Sequence, residues 1–298
     1  MDDDKKQPLL QPTPSDPPPD YETAAGEQIP THPLPIRPPP VRRPPGSLLD
    51  LPILKYMRTH RTILASSSPR RRALLSQLGL PNLEIRPSTK PEDLSKAELG
   101  PWAYVSATAQ QKALDVYAAL IAEAAENQAS TTTSTSIDDT NRRDPDLVIA
   151  ADTVIVTREG VVLEKPTSEV SHVKMLRHLR DTRSHKVLTA ICCVAPRADA
   201  AHPGYAMASY VEETKVLFAR EMDGLPDDVI EAYVRTREGA DKAGGYAVQG
   251  LAGALLVEKV DGAVDNVVGL PVRKTLQLCE KVVFRQDETS EGEEEEDE

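Results

Sequence analysis

The sequence predicts an α/β fold built on a mixed, twisted β-sheet that is flanked by helices. Apolar segments of strand-like length alternate with segments of helical periodicity along the middle of the 298-residue chain. Some neighbouring strands are separated only by short turns, so they pair as antiparallel hairpins and not through helical crossovers. Because some strands are joined by helices and others by short hairpin turns, we expect a mixed sheet and not a purely doubly wound one.

A short strand and a helix are predicted at the start of the folded region. Residues 63–65 are apolar, and the serine run that follows ends at Ser68, a residue type suited to an N-cap. Pro69 fits the first helical position, where its missing N–H costs nothing. Gly79 is suited to end this helix.

A long helix, a hairpin and a second helix are predicted next. Apolar periodicity indicates a helix over residues 103–125. The strongly apolar residues 147–156 predict a buried strand, and a turn at 158–160 leads to a second strand at 161–164. Residues 169–180 have the pattern of an amphipathic helix.

The rest of the folded region is expected to hold three more strands and two more helices. One of these helices begins with an aspartate, which predicts a capped N-terminus. In chain order the elements are a strand at 187–194, a strand at 213–218, a helix at 227–236, a strand at 254–259 and a helix at 271–283.

The charge of the protein is concentrated at its ends. The formal net charge is −12, yet residues 1–50 and 287–298 hold 17 of the 47 acidic and only 5 of the 35 basic side chains. The 236 residues between them carry 30 of each. Because salt screens exposed charges beyond about 10 Å, the acidic ends do not exclude an anionic substrate.

The chain divides into three parts. Residues 1–60 are predicted to be a disordered arm, since 14 of the first 50 residues are proline and apolar periodicity is nearly absent. Residues 61–284 form the folded domain, with a polar insertion loop at 127–145 that is rich in Ser and Thr. Residues 285–298 are predicted to be an acidic disordered tail.

Two segments of the arm have the form of peptide ligands. Residues 18–21, PPDY, match a WW-domain ligand, and residues 37–44 could dock into an SH3-type groove. Such patterns also arise by chance in proline-rich tails. A WW or SH3 domain protein is therefore one candidate partner, and a solubilising extension is the alternative.

Cysteine usage and hydropathy favour a soluble, cytoplasmic protein. The three cysteines include the adjacent Cys192 and Cys193, whose side chains would point to opposite faces of a strand, so no disulfide framework is expected. No run reaches the roughly 20 apolar residues of a membrane span, and the N-terminus lacks a signal-peptide core. Neither a membrane nor a nucleic acid polymer is expected as a partner.

The start of the first predicted helix is expected to bind an anion. Ser66 and Ser68 precede this helix, and Arg70 and Arg71 lie in its first turn, beside free N–H groups and the positive end of the helix dipole. Cations at this end oppose the dipole, so their presence favours a polyphosphate ligand. The alternative is a surface helix that happens to begin with basic residues.

Asp152 is the strongest catalytic candidate. It interrupts an apolar strand, where a buried, ionised carboxylate is costly unless a cation or a metal compensates. If residues 158–159 form a two-residue loop, Lys165 lies directly across from Asp152, and a shifted register would place it beside Thr153 or Val154. A plain ion pair across the strands is the structural alternative.

A glycine-rich segment, DKAGGYAVQG at residues 241–250, contains the last candidates. Its three glycines permit close approach of the backbone to a ligand. Gln249 offers both a donor and an acceptor, which suits the edge of a base, and Lys242 is a candidate phosphate contact. A glycine-rich turn alone is weak support for a site.

Five separated motifs follow one another along the chain. They are SSSPRR at 66–71, AADTVIV at 150–156, LEKP at 163–166, DKAGGYAVQG at 241–250 and NVVGLP at 266–271. Together they resemble the Maf family of nucleoside triphosphate pyrophosphatases, over residues 61–284. The resemblance implies an inosine triphosphatase-like unit with two lobes around a nucleotide cleft, commonly as a homodimer.

The resemblance also implies a reaction. Water would attack the α-phosphorus of a nucleoside triphosphate and release pyrophosphate, which would serve to clear unwanted nucleotides. Asp152 would be the catalytic carboxylate, and Asp152 and Glu92 would hold a divalent cation, Mg²⁺ or Mn²⁺. Asp93 or Glu98 could take the place of Glu92, and Lys112 matches a family lysine on the long helix.

The same resemblance assigns the phosphate and base contacts. Arg70, Thr153 and Gln249 match positions associated with base specificity in the branch that acts on dTTP and UTP, so dTTP, UTP or modified pyrimidine triphosphates are expected as substrates. The alternatives are a non-catalytic nucleotide-binding regulator of cell division and a scaffold that acts through its arm. The residues implied to bind phosphate are Ser66, Ser68, Arg70, Arg71, Lys112, Lys165 and Lys242.

Overall fold

The computed structural model describes residues 49–80, 83–129, 144–197 and 204–286. Most of the predicted arm, most of the insertion loop and the tail from residue 287 lie outside these ranges, as do both predicted peptide ligands. The elements are α1 Pro52–Thr59, β1 Thr62–Leu64, α2 Pro69–Gln77, β2 Glu84–Ile85, α3 Lys96–Ala129, β3 Leu147–Val156, β4 Val162–Leu163, α4 Glu169–Thr182, β5 Ser184–Pro196, β6 Tyr205–Phe218, α5 Asp227–Arg235, α6 Leu251–Leu255, β7 Val257–Asp261, α7 Val264–Val268 and α8 Val272–Phe284.

A seven-stranded mixed sheet runs through this part of the chain. Its strand order is β2-β1-β3-β5-β6-β7, and β4 pairs with the end of β3. β1 runs parallel to both β2 and β3, whereas the other pairs are antiparallel. The predicted mixed α/β fold is confirmed.

Strand β3 separates two layers of the core, because its side chains alternate between the faces of the sheet. Ile149 and Ala151 pack in a cluster that includes α1, α2 and α8. Val148 and Ala150 pack on the opposite face, against α3. Asp152 continues this second series and therefore faces α3.

Helix α1 lies inside the segment predicted to be disordered, so the boundary drawn after residue 60 is wrong. Ile53, Leu54 and Met57 of α1 are at most 4% exposed. Tyr56 also packs edge-on against Phe284 of α8, with ring centroids 5.8 Å apart. An eight-residue helix has too few turns to show periodicity, and the surface that buries it comes from the far end of the chain.

Five other predicted elements differ from the structure. The strand expected at 254–259 begins only at Val257, because the Glu238 carboxylate accepts the N–H groups of Leu251 and Ala252 and caps the short helix α6. Helix α5 has no aspartate cap. The carboxylate of Asp227 instead bonds to Arg180 at 2.7 Å.

Strands β5 and β6 extend beyond the predicted 187–194 and 213–218, since they pair along their whole length. Helix α3 begins before the predicted residue 103 and has a kink at Gly100, where φ is 69° and Pro101 follows.

The cysteines lie in the core. Cys192 and Cys193 belong to opposite layers, as predicted, and the Sγ of Cys193 is 3.6 Å from that of Cys279. All three thiols are free. Within the described ranges, none of the helices has both the length and the apolar character needed to cross a membrane.

Two N-terminal truncations should separate the arm from the fold. Removing residues 1–48 should leave the thermal midpoint unchanged, because a proline-rich segment that nearly lacks apolar periodicity is expected to bury little apolar area. Removing residues 1–60 should prevent stable folding, since burial of each large side chain of α1 contributes about 1.5–3 kcal/mol. Thermal unfolding followed by circular dichroism measures both, and equal midpoints would show that α1 is dispensable.

Candidate active site

A cleft of about 540 Å³ opens where the edge of β3 lacks a neighbour. On this edge β1 pairs with residues 147–149 and β4 pairs with 155–156, so no described strand covers the residues between them. Side chains from both faces of β3 can reach the gap. The cleft is completed by the loop after β1, by α3, by the β4 hairpin and by the glycine-rich loop, residues 241–250.

The structure brings all the predicted site residues to this one cleft. Asp93 and Glu98, the alternatives to Glu92, do not line it. The eleven residues that do are Ser66, Ser68, Arg70, Arg71, Glu92, Lys112, Asp152, Thr153, Lys165, Lys242 and Gln249. Their placement is established, and their chemical roles are taken up below as proposals.

One lysine joins the two carboxylates of the cleft. The Nζ of Lys112 is 2.7 Å from Oδ1 of Asp152 and 2.6 Å from Oε1 of Glu92. The side chains of Lys112 and Asp152 are only 15% and 11% exposed, so this ion pair is largely shielded from water. Its position follows from the fold, because Lys112 is on the face of α3 that covers Asp152.

Lys165 is not directly across from Asp152, because the hairpin does not have the two-residue loop and its register is shifted, which is the alternative that the sequence left open. Ile155 pairs with Leu163, so the turn contains one more residue than expected, with Gly160 at a φ of 85°. Strand β4 then ends at Leu163. Lys165 lies beyond the ladder in the cleft wall, close enough for its charge to lower the pKa of Glu92.

The surroundings of Glu92 keep it ionised. Partial burial alone would raise its pKa, but the hydrogen bond and charge of Lys112, with smaller contributions from Lys165 and Arg71, more than offset this effect. The pKa of Glu92 therefore lies below its ordinary value. An ionised carboxylate at neutral pH can hold a cation.

Arg71 connects three segments of the site. Its Nε donates to the carbonyl of Gly269 at 2.8 Å, and its two terminal nitrogens donate to Ser66 Oγ and Thr153 Oγ1, both at 3.0 Å. Burial lowers the pKa of this guanidinium, although the charge of Asp152 opposes the shift. The phosphate contact predicted for Arg71 would have to use its remaining N–H groups.

The hydroxyl of Thr153 has a fixed direction. Thr189 donates to the carbonyl of Asn266, which can only accept, so Thr189 must accept the hydrogen bond of Thr153 at 3.0 Å. Thr153 in turn accepts from Arg71. Towards a ligand, its oxygen can therefore act only as an acceptor. Thr189 and Asn266 were missed from the sequence because one contact joins neighbouring strands and the other joins residues 77 positions apart.

The loop before α2 departs from its predicted cap. Ser68 occupies the N-cap position but makes no side-chain capping bond, and its own N–H donates to Ser66 Oγ at 3.2 Å. Because no side chain caps this end, its N–H groups remain suited to an anion. Arg70 lines the cleft beside them.

The two candidates in the glycine-rich loop differ in whether their side chains already have hydrogen-bond partners. The ammonium of Lys242 donates to the carbonyl of Glu238, which precedes the loop, and to the carboxylate of Asp241 at 2.5 Å. Gln249 is exposed on the cleft wall and makes no hydrogen bond to the described residues. Gln249 can therefore meet a ligand directly, whereas Lys242 must first leave Asp241.

The carboxylates of the cleft suit a divalent cation that is also bound by the phosphate oxygens of a ligand. Among the described residues, no three His, Cys, Asp or Glu side chains are grouped as a metal site. Mg²⁺, however, usually takes one or two carboxylates together with substrate phosphate oxygens. Asp152 and Glu92, which share one ammonium, supply this pair of carboxylates.

Comparison with known proteins identifies the family of this chain. Residues 61–282 match the family model described as Maf-like protein. The chain belongs to the Maf family. A dTTP/UTP pyrophosphatase of Schizosaccharomyces pombe is 41% identical over 241 residues, which cover 80% of this chain and 90% of the relative.

Two prokaryotic relatives extend the comparison. A dTTP/UTP pyrophosphatase of Anaeromyxobacter dehalogenans is 42% identical, over 75% of this Maf chain and 95% of its own length. One of Pyrococcus furiosus is 37% identical, over 74% of this chain and 94% of its own. The resemblance found in the sequence is thus confirmed.

Proposed function

We propose that this Maf protein hydrolyses dTTP, UTP or modified pyrimidine triphosphates to the monophosphate and pyrophosphate, and so removes unwanted nucleotides. The observation that carries the proposal is the cleft itself. A helix N-terminus and cationic side chains face a shielded carboxylate across a volume suited to a nucleotide. The activity after which these relatives are named supports the choice of substrate.

In the proposed reaction Asp152 is the general base. It takes a proton from a water molecule, whose oxygen forms a bond to the α-phosphorus while the bond to the leaving pyrophosphate breaks. The charge that moves onto the leaving oxygens is neutralised by Arg70, Lys112 and Lys165, a type of electrostatic stabilisation that is usually a large part of catalysis.

A divalent cation is part of the proposal. Asp152 and Glu92 are the side chains that would hold Mg²⁺ or Mn²⁺, and the cation would supply positive charge to the phosphate oxygens. Lys112 then has a further use. If the two carboxylates held such a cation, the Lys112 ammonium would be available to bind a phosphate oxygen.

The proposal extends to the cellular setting of the protein. A cytoplasmic homodimer agrees with what the sequence resembles, and the proline-rich arm would bind a WW or SH3 domain protein. Size-exclusion chromatography with light scattering tests the dimer. Binding of WW and SH3 domains to a peptide of residues 1–48 tests the arm.

Pyrophosphate release over a panel of nucleotides tests the proposed function. We expect UTP and dTTP to give a monophosphate and pyrophosphate with Mg²⁺ or Mn²⁺, at a higher kcat/KM than CTP, ATP and GTP. Release of a diphosphate and phosphate would contradict attack at the α-phosphorus. Tight nucleotide binding without turnover would instead support a non-catalytic regulator.

Replacing Gln249 with Ala should reduce the preference for UTP over ATP and GTP. The amide can pair with the donor N–H and the acceptor oxygens of uracil. Loss of one or two hydrogen bonds of about 1 kcal/mol each should lower the ratio of kcat/KM values roughly five- to thirtyfold. Gln277→Ala, at an exposed position on α8, is the matched control. An unchanged ratio in Gln249→Ala would make Gln249 a structural residue.

A further inference from the structure

Two buried histidines contact the glycine-rich loop from behind. His172 lies on α4 and His185 on β5, and they are 2% and 1% exposed. Neither lines the cleft, and the proposed reaction uses neither of them. They bond to consecutive residues of the loop, Gly245 and Tyr246.

His172 holds the backbone of the loop. Its Nε2 is 2.6 Å from the carbonyl oxygen of Gly245, and because a carbonyl only accepts, this nitrogen carries the proton and donates it. The ring also packs against the Cα of Gly245. A Cβ added there would lie 2.6 Å from Cδ2 and 2.7 Å from Nε2 of His172.

His185 holds the side chain of the next residue. Its Nε2 is 2.8 Å from the hydroxyl of Tyr246, and its ring contacts that of Phe218 edge-on, with centroids 5.0 Å apart. Burial lowers the pKa of His185 to about 3, so the ring stays neutral at physiological pH. Its Nδ1 has no hydrogen-bond partner among the described residues. The bond to Tyr246 is thus the polar contact that this histidine makes.

The loop needs such supports because its backbone has little regular structure. Gly244 and Gly245 both have left-handed φ angles, 71° and 74°, and glycine gains the most conformational entropy when it is released. The N–H of Gly244 bonds to the carbonyl of Glu164. The same loop presents Gln249 to the cleft.

We propose that His172 and His185 are positioning residues that hold the glycine-rich loop in the conformation that binds the nucleotide. The inference rests on the proposed function only in the identity of the ligand. A loop that is released from its supports visits the competent conformation for a smaller fraction of the time, and the apparent affinity falls by that fraction. Asp152, Lys112 and Lys165, which act in the proposed reaction, lie outside this loop, so kcat should change little.

Variants of His172 test this division between binding and chemistry. His172→Phe keeps a ring but loses the donor, and we expect KM for UTP to rise about tenfold if the competent fraction falls to about a tenth, with kcat within about twofold. His172→Gln keeps an N–H donor and should recover most of the affinity. His178→Gln, at an exposed position on the same helix, is the control.

A double-mutant cycle tests His185. His185→Phe and Tyr246→Phe each remove one half of the same hydrogen bond, so the double variant should raise KM no more than either single variant. Tyr246→Phe keeps the ring and serves as the test if His185→Phe folds poorly. Additive effects would show that the two side chains act independently and would contradict the proposal for this pair.

Hydrogen exchange and ligand binding separate this inference from the proposed function. In His172→Phe the amides of residues 244–250 should exchange faster without nucleotide, and the Kd of a non-hydrolysable UTP analogue should rise with KM. If the wild-type protein binds the analogue but releases no pyrophosphate, the proposed function fails while these two measurements still decide the inference. Unchanged exchange and Kd, with only a loss of active fraction, would overturn it.

Discussion

Asp152→Asn is expected to abolish turnover while the fold remains intact. The amide has the shape of the carboxylate but is a poor base and a poor ligand for a divalent cation, and loss of a general base alone costs about 10²–10⁴-fold in rate. Lys112 still has Glu92 as an ionised partner at 2.6 Å, so its ammonium is not left unpaired. Steady-state kinetics at saturating metal measures the loss, and the thermal midpoint monitors the fold.

Asp93→Asn is the matched control for this prediction. It removes one carboxylate charge close to the site along the chain, yet Asp93 is exposed and does not line the cleft. Its kcat should equal that of the wild type. If Asp152→Asn keeps a near-normal kcat at saturating metal, Asp152 is a structural partner of Lys112 and the proposed base must be sought elsewhere.

The sequence could place Asp152 but not its partner. The side chains of a strand alternate between its two faces, so a carboxylate within a ten-residue apolar run has to face one of two apolar layers. This is an unusual position for a charge, and it can be recognised from the sequence. The partner, Lys112, comes from a helix 40 residues earlier. Nothing local in the sequence indicates which turn of α3 covers Asp152. The nearby hairpin suggested Lys165, but the sequence did not fix its register, which differs by one residue from that of a two-residue loop.

The missed elements share a physical cause. Helix α1 and Thr189 act through contacts with distant parts of the chain, α1 with α8 and Thr189 with Asn266. Local propensity contains no such information. The glycine-rich loop was found from its composition, yet His172 and His185 could not be assigned to it, because their partners lie 73 and 61 residues away.

Arg71→Ala is expected to lower kcat/KM for all nucleotides alike, by about 10²–10³-fold. The guanidinium ties the loop before α2, strand β3 and the turn at Gly269 together through three hydrogen bonds. Without it, the anion-binding loop and the β3 edge are no longer held in fixed positions relative to each other. A displacement of about 1 Å in a catalytic site can lower the rate about 10²-fold. Gln249 is left in place and Thr153 keeps its hydrogen bond to Thr189, so the ratio of kcat/KM for UTP to that for ATP should stay constant.

Arg72→Ala removes the same charge from the next residue of the same helix, at an exposed position that does not line the cleft, and should retain near-wild-type kinetics. Arg71→Lys should fall between the two, because one ammonium cannot reproduce the planar fork that reaches three acceptors at once. This order of activities is expected only if Arg71 acts by holding the three segments in position. If Arg71→Lys were as active as the wild type, the positive charge alone would suffice, and Arg71 would act as a phosphate contact and not as the link between the three segments.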